Sequence, residues 1–270
     1  MKEQKEKIAL IDADSILYSA FYGNKVVDTV TGEPKKENGK YVIIPKTEEE
    51  IMESLDGIFY HIFQEGGFTH YIIFIKGDNT TVDRKAINPR YKATRLETPK
   101  EWEFTKNYAI SKWKATVINN IEVDDAIRIC SLKIKNSHIV AIDKDLLWLK
   151  GNNFNWRKSE WSEVDAKQEE EYFSRSLVIG DTVDNICGVH GKGEVYCNKN
   201  NITTVSKAFN TYIETYGLQL GVDEFYKNFK CLHILTHSDK YTECPTPIKI
   251  DTDNGENNKS RSTTRELYNA

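Results

Sequence analysis

The chain has 270 residues and carries 41 Asp and Glu against 37 Lys and Arg, a formal net charge of −4. That length fits one α/β domain with or without a helical appendage. No stretch approaches the ~20 apolar residues of a membrane span, and the charged run 1–7 lacks the apolar centre of a secretory signal. Five cysteines, odd in number and without a CxxC pair, argue against a disulfide framework or a zinc site and for a reducing, cytosolic setting.

Lys7-Ile8-Ala9-Leu10-Ile11 reads as a buried strand, closed by Asp12-Ala13-Asp14-Ser15 before a helical run from Ile16 to Tyr22. Asp14 or Ser15 is a natural N-cap, which is the first choice of role for Asp14 and leaves Asp12 at the strand tip as the better ligand candidate. Residues 24–45, with Thr31-Gly32-Glu33-Pro34 at their centre, read as a hairpin inserted on the surface. Ile51, Leu55, Ile58, Phe59 and Ile62 predict a helix over 48–63, stopped by Gly66-Gly67. The next strand, Tyr71 to Ile75, ends in Lys76-Gly77-Asp78. Strand, helix and strand in alternation imply parallel pairing, which gathers the strand ends along one edge.

From Lys76 to Arg95 six basic residues stand against two acids, so a negative chain can still present a positive groove. Within this stretch, residues 83–95 read as an exposed loop, or as a phosphodiester-holding segment in which Tyr91 offers a stacking surface. Residues 99–114 predict an aromatic-rich helix whose rings default to the core, with Trp102 as a candidate for stacking on a base. Then Glu122-Val123-Asp124-Asp125 opens a helix in which Glu122 and Asp125 share a side while Asp124 lies about 100° from its neighbour. A β-branched strand follows and ends in Asp143-Lys144-Asp145, where an open α/β sheet gathers ligands. Carboxylates cap helices often enough, but so many at strand and helix ends repel one another unless a cation joins them, and oxygen ligands suit Mg²⁺ or Mn²⁺.

Residues 152–161 predict a late strand and turn, and 161–165 the start of a helix that runs towards Ile179. Asp181 and Asp184 precede a loop with Gly188, Gly191 and Gly193, a pattern that lets backbone amides approach phosphate oxygens. His190 is read as a loop residue outside the catalytic set. Two apolar helical faces around Phe209, Tyr212 and Ile213 and around Phe225, Tyr226 and Phe229 complete a helical subdomain, and Lys230 to Leu235 returns to the main body. The polar run beyond 240 predicts a poorly ordered tail.

With these residues in order, the chain resembles the flap endonuclease family, especially the 5′ nucleases of bacteriophages and the 5′-nuclease domain of bacterial DNA polymerase I. The resemblance covers roughly residues 8–235. It rests on Leu10-Ile11-Asp12, on Asp78 with Arg84 and Tyr91-Lys92-Ala93-Thr94-Arg95, on Glu122-Val123-Asp124-Asp125, on Ile142-Asp143-Lys144-Asp145, and on Gly180 to Gly193. Ile142 stands where the family usually has Gly, and Lys76-Gly77-Asp78 where it has Phe-Asp.

The resemblance implies an α/β, PIN-like (Rossmann-like), mostly parallel sheet with a helical arch and a helix–three-turn–helix DNA-binding subdomain. The core would occupy 1–178 with the arch at about 84–113, the DNA-binding region 179–240 and the tail 241–270. Asp12, Asp78, Glu122, Asp124, Asp125, Asp143, Asp145, Asp181 and Asp184 would bind two Mg²⁺ ions, with Mn²⁺ able to substitute. Lys92 and Arg84 would stabilise the phosphate, and Arg95 would guide a single-stranded 5′ end. Gly188, Gly191, Lys192 and Gly193 would grip the duplex backbone through a K⁺ ion. The implied substrates are branched or 5′-ended DNA and RNA–DNA primer junctions. The implied setting is phage DNA replication beside a single-strand binding protein, by a monomer in the host cytoplasm. Two other readings compete: a junction-binding protein without activity, and a haloacid-dehalogenase-like phosphatase suggested by Asp12-Ala13-Asp14, which leaves Asp181, Asp184 and the glycine loop unexplained.

Overall fold

The computed structural model describes residues 6–28, 31–37, 39–95 and 98–251. The chain begins with β1 (Ile8–Asp12) and α1 (Asp14–Phe21), followed by four two-residue strands, β2 (Asn24–Lys25), β3 (Lys36–Glu37), β4 (Lys40–Tyr41) and β5 (Ile43–Ile44). β2 pairs with β5 and β3 with β4, both antiparallel, so the expected surface hairpin is present. Next come α2 (Glu48–Gly66), β6 (His70–Lys76), α3 (Val82–Ile87), α4 (Lys100–Trp113), β7 (Thr116–Ile118), α5 (Val123–Lys133) and β8 (Ser137–Ala141). The central region ends with α6 (Lys144–Leu147), β9 (Gly151–Asn155) and β10 (Glu160–Val164). A helical part follows: α7 (Ala166–Ile179), the small hairpin β11 (Gly180–Asp181) and β12 (Ile186–Cys187), α8 (Glu194–Lys199), α9 (Val205–Tyr216) and α10 (Leu218–Leu232). Last is β13 (Ile248–Lys249).

The main sheet runs β10-β9-β8-β1-β6, and β7 and β13 share the far edge of β6. Its inner pairs β9–β8, β8–β1, β1–β6 and β6–β7 are parallel. Strands buried on both faces read as continuous apolar runs, and that is how β1 and β6 read. Ala9, Ile11, Tyr71, Ile73 and Ile75 face the core beneath α1, α2 and α4, whereas Ile8, Leu10, Ile72 and Phe74 face the core beneath α5. Local signals place the helices. Thr47 and Glu50 form a capping box at the start of α2, and Gly67 ends it with φ 62° in the left-handed region.

Two expectations need correction. Trp161 to Val164 belong to β10, paired antiparallel with β9, and the helix begins only after Asp165, which caps it with Gln168. The tail expected from 241 contributes β13, which covers the lower edge of β6, while Ile250 packs on the core. An apolar Ile-Lys-Ile run beside an open strand edge gains ladder hydrogen bonds that its polar surroundings concealed. Residues 252–270 lie outside the described residues.

Candidate metal and nucleic-acid site

Chain order reverses direction between β1 and β8: from β1 the chain builds outward through β6 and β7, then crosses back to β8 and β9. A crevice opens at such a switch point, beyond the carboxyl ends of the strands. Asp12 ends β1 and Asp143 follows β8, so both reach it. α5 presents Asp124 to the same place. Together with Asp14 and Glu122, these side chains line a cavity of about 570 Å³ that Lys76, Thr80, Thr81, Lys85, Lys92 and Arg95 also line.

Burial makes this cluster electrostatically tense. Desolvation, with Asp14 and Asp143 adding repulsion, pushes the Asp12 carboxyl up to about 8. Asp124 is raised well above the carboxylate range by burial, then by Asp12, Asp143 and Glu122. Asp14 is raised as well, by burial. Glu122 behaves differently: burial would raise it, but Arg84 and Lys92 outweigh that and hold it below its ordinary value.

Glu122 is the hub that fixes the basic segment. Arg84 Nη1 donates to its Oε2, Tyr91 Oη donates to Oε2 at 2.8 Å, and Lys92 Nζ donates to Oε1 at 2.5 Å. Arg84 also donates to Asp125 Oδ1 at 2.9 Å and to the His233 carbonyl at 2.9 Å, and Asp125 Oδ1 accepts the Leu235 N–H at 2.9 Å. Lys92 lies 3.5 Å from Asp184 Oδ2 and sits at φ 53°, a strained backbone for a long side chain. Arg95 donates to Asp184 Oδ1 at 2.9 Å yet leaves half its side chain in solvent.

The sequence reading placed Asp12, Glu122, Asp124, Asp143, Lys92 and Arg95 together, and the structure brings them to one cavity. Several others go elsewhere. Residues 83–95 are exposed over much of their length but anchored, because 83–87 lie in α3, Arg84 and Tyr91 are buried, and Tyr91 packs with Ile186 and Cys231. Tyr91 therefore offers no stacking face, and Arg84 is committed to two carboxylates and a carbonyl. Asp125 serves Arg84 and the Leu235 N–H and does not line the cavity, although its neighbour Glu122 does. Asp78 is exposed and turned out of the cavity, with its N–H on Asn119 Oδ1 at 2.7 Å.

The segment expected as an arch is fastened to the body on both sides of 93–100, where its described residues are exposed. Trp102 and Trp113 of α4 are buried against the core, and Asp56 accepts from Trp113 Nε1 at 2.8 Å and Tyr108 Oη at 3.0 Å. Residues 96–97 lie outside the described residues. Asp145 accepts the Tyr172 hydroxyl, and burial raises it, with Asp143 and Asp181 contributing. Asp181 Oδ1 accepts the N–H groups of Val183 and Asp184, at 2.8 and 3.2 Å.

The glycine loop packs closely at its first glycine only, Gly188. A Cβ on Gly188 would meet the Val178 carbonyl oxygen at 2.2 Å, and one on Gly180 would meet the Gly188 nitrogen at 2.2 Å. The His190 amide is held by Tyr216 Oη at 2.7 Å and the Lys192 amide by the Val189 carbonyl at 3.0 Å, while Lys192 Nζ lies 4.0 Å from the Tyr196 ring centre.

Sequence reasoning missed Asp14 and Lys76. Asp14 is the first residue of α1 rather than its N-cap, and its Oδ1 accepts the Lys76 N–H at 3.0 Å. An Asp-x-Asp at a strand tip was the available signal. Among the described residues, no three His, Cys, Asp or Glu side chains already converge as a preformed metal site. The donor set nevertheless fits a hard divalent cation: it is oxygen-only and mutually repelling, and it spans from buried Asp12 and Glu122 to exposed Asp143.

No protein-family model and no curated protein matches the sequence. Solved structures do match in fold. A bacteriophage T5 protein crystallised with metal ions superposes with TM-score 0.58 at 14% identity, over 86% of this chain and 89% of that one. The T5 flap endonuclease in a pseudo-enzyme–product complex with DNA and metal ions gives the same values. The T5 5′-exonuclease with bound zinc gives 0.55 at 15% identity, over 84% and 88%. The chain thus has the α/β, PIN-like fold of these nucleases.

Proposed function

We propose that this chain is a divalent-metal-dependent, structure-specific 5′ nuclease, acting as a 5′–3′ exonuclease and flap endonuclease on DNA or RNA–DNA junctions. The observation that carries the reading is the mutually repelling group Asp12, Asp124 and Asp143 at the switch point of the sheet, running from buried Asp12 to exposed Asp143 and sharing one cavity with Lys76, Lys85, Lys92 and Arg95. Carboxylates held at that density suit Mg²⁺ or Mn²⁺, and the basic groups beside them suit the phosphates of a nucleic acid. The fold shared with the T5 nucleases supports the same reading.

Asp12, Asp124 and Asp143 would hold a first cation, with Asp14 and Glu122 bordering it. Asp145, Asp181 and Asp184 would border a second. When bound, such cations supply Lewis-acid stabilisation and an acidified water for attack on a phosphodiester. The protein's own groups do the rest. Lys92, aimed by Glu122 and Asp184, holds a non-bridging phosphate oxygen as charge builds. Arg95, half exposed at the mouth, steers the single strand by its phosphates. Arg84 acts through others: it fixes Glu122 and Asp125 and ties α5 to the end of α10. Contacts of this kind recognise backbone and shape, which fits a task such as flap or primer removal in phage replication.

Cleavage of a 5′-labelled flap duplex in Mg²⁺, beside an EDTA control and Asp143→Ala, tests the reading. Product near the junction that needs metal and disappears in the variant, while DNA affinity persists, is the expected result. Binding without cleavage in either Mg²⁺ or Mn²⁺ would leave a junction-binding protein instead. The exposure of Asp78 and the presence of Lys76 in the cavity give that second reading its only specific support.

A further inference from the structure

A second cavity, of about 450 Å³, lies next to the acidic cleft, with Asp145 on its lining. Asp143 of the first cavity is two residues away, a span of about 7 Å at most, so the two are neighbours. The volume falls within the roughly 300–1,000 Å³ of small-molecule sites. Trp148, just after α6, stacks on Tyr172 of α7 with ring centres 5.3 Å apart and planes within 5°. Trp148 keeps 40% exposure, so the pair forms a flat aromatic ledge open to solvent. Facing groups from the end of α10 continue the aromatic lining: His233 stacks on Phe229 at 5.3 Å and 10°, with Phe173 edge-on to both.

The polar lining is rich in acceptors. Asp145, Glu169 and Glu170 stand against one cation, Arg128, which is already held by Glu169 Oε1 at 2.6 Å. Such a lining repels a phosphate and receives N–H donors. A flat ring with donors on its edge meets both requirements, since stacking takes its face and the carboxylates take its edge.

We infer that this cavity takes an unstacked nucleobase presenting adjacent N–H donors, guanine before thymine, from the strand whose backbone lies in the acidic cleft. The inference rests on the nuclease reading and adds a base-binding site to it. It predicts a preference at one nucleotide next to the cleaved bond, on a protein that otherwise reads backbone.

Saturation-transfer NMR on the full chain in EDTA, with free guanosine, thymidine and guanosine 5′-monophosphate, tests it. Guanosine is expected to bind the wild type more tightly than the other two, to bind about tenfold more weakly to Trp148→Ala, and to recover with Trp148→Phe. Intermolecular NOEs between guanine H8 and the Trp148 indole in the wild type locate the base without relying on a variant. No guanosine binding, binding without those NOEs, or thymidine or the monophosphate binding as tightly as guanosine would each overturn the assignment. Flap cleavage on the same preparation keeps the two readings apart: cleavage without guanosine binding sinks only the cavity, whereas located binding without cleavage sinks only the nuclease.

Discussion

Arg84 and Arg95 carry the same guanidinium eleven positions apart and do different work. Arg84 is buried between Glu122 and Asp125, so its removal leaves Asp125 buried without a cation and Glu122 with Lys92 alone. Arg84→Met is expected to cost about 3–5 kcal/mol in urea unfolding, because a buried charge left without its partner costs far more than the intact pair contributes. Arg95 has 51% of its side chain exposed. Arg95→Ala is expected to cost under about 1 kcal/mol while lowering the salt slope of DNA binding by about one. Equal stability losses in the two variants would refute this division. The sequence presented both arginines in one basic run with nothing to separate them. The difference arises because Glu122, thirty-eight residues beyond Arg84, sits at the start of a helix whose burial no local pattern reveals.

At the scale of elements, the turn between α7 and α8 shows how three glycines in one motif can have three different reasons. Gly188 crosses the end of α7 so closely that any Cβ would strike the Val178 carbonyl. Gly191 has open space around it but sits at φ +70°, and Gly193 has neither constraint. Gly188→Ala should therefore lose about 3 kcal/mol or more by thermal unfolding, Gly191→Ala about 1 kcal/mol, and Gly193→Ala close to nothing. Gly191→Asn should recover most of its loss, since Asn tolerates the left-handed region. A flat response across these variants would show that the loop is not held by packing. The spacing made the loop legible in the sequence. Its purpose was not, because the partner at Gly188 is a helix end ten residues earlier that approaches only when the hairpin β11–β12 folds back. α4 was legible as a helix, but its place against α1 and α2 depended on Asp56 meeting Trp113 and Tyr108 across more than fifty residues.

For the whole molecule, the buried acids make stability depend on pH, and under the proposed function on cations as well. The Asp12 carboxyl titrates near 8 when folded, against about 3.9 in an unfolded chain. Between those values the folded state holds the extra proton, so stability falls as pH rises through that window. Asp14, Asp124 and Asp145 are also raised and add in the same direction. Glu122 is lowered, and its contribution is lost only on acidification below the ordinary carboxylate range. The melting temperature in EDTA should drop from pH 5 to pH 8, and Mg²⁺ at pH 8 should restore it, by about 2.7 kcal/mol at a hundredfold excess over Kd. A melting temperature that rises over that interval in EDTA and ignores Mg²⁺ would contradict a buried cation-binding cluster. The alternation of strands and helices, the strand tips that carry Asp12 and Asp143, and the acidic opening of α5 were all legible in the chain, because they follow from periodicity and end signals within a dozen residues. Long-range packing set which carboxylates share the cavity, that Asp125 pairs with Arg84 outside it, that Tyr91 is buried, that Asp14 and Lys76 join the site, and that β13 closes the sheet edge. Those outcomes depend on contacts between residues far apart in the chain, where burial and charge pairing are set by the packing of the whole.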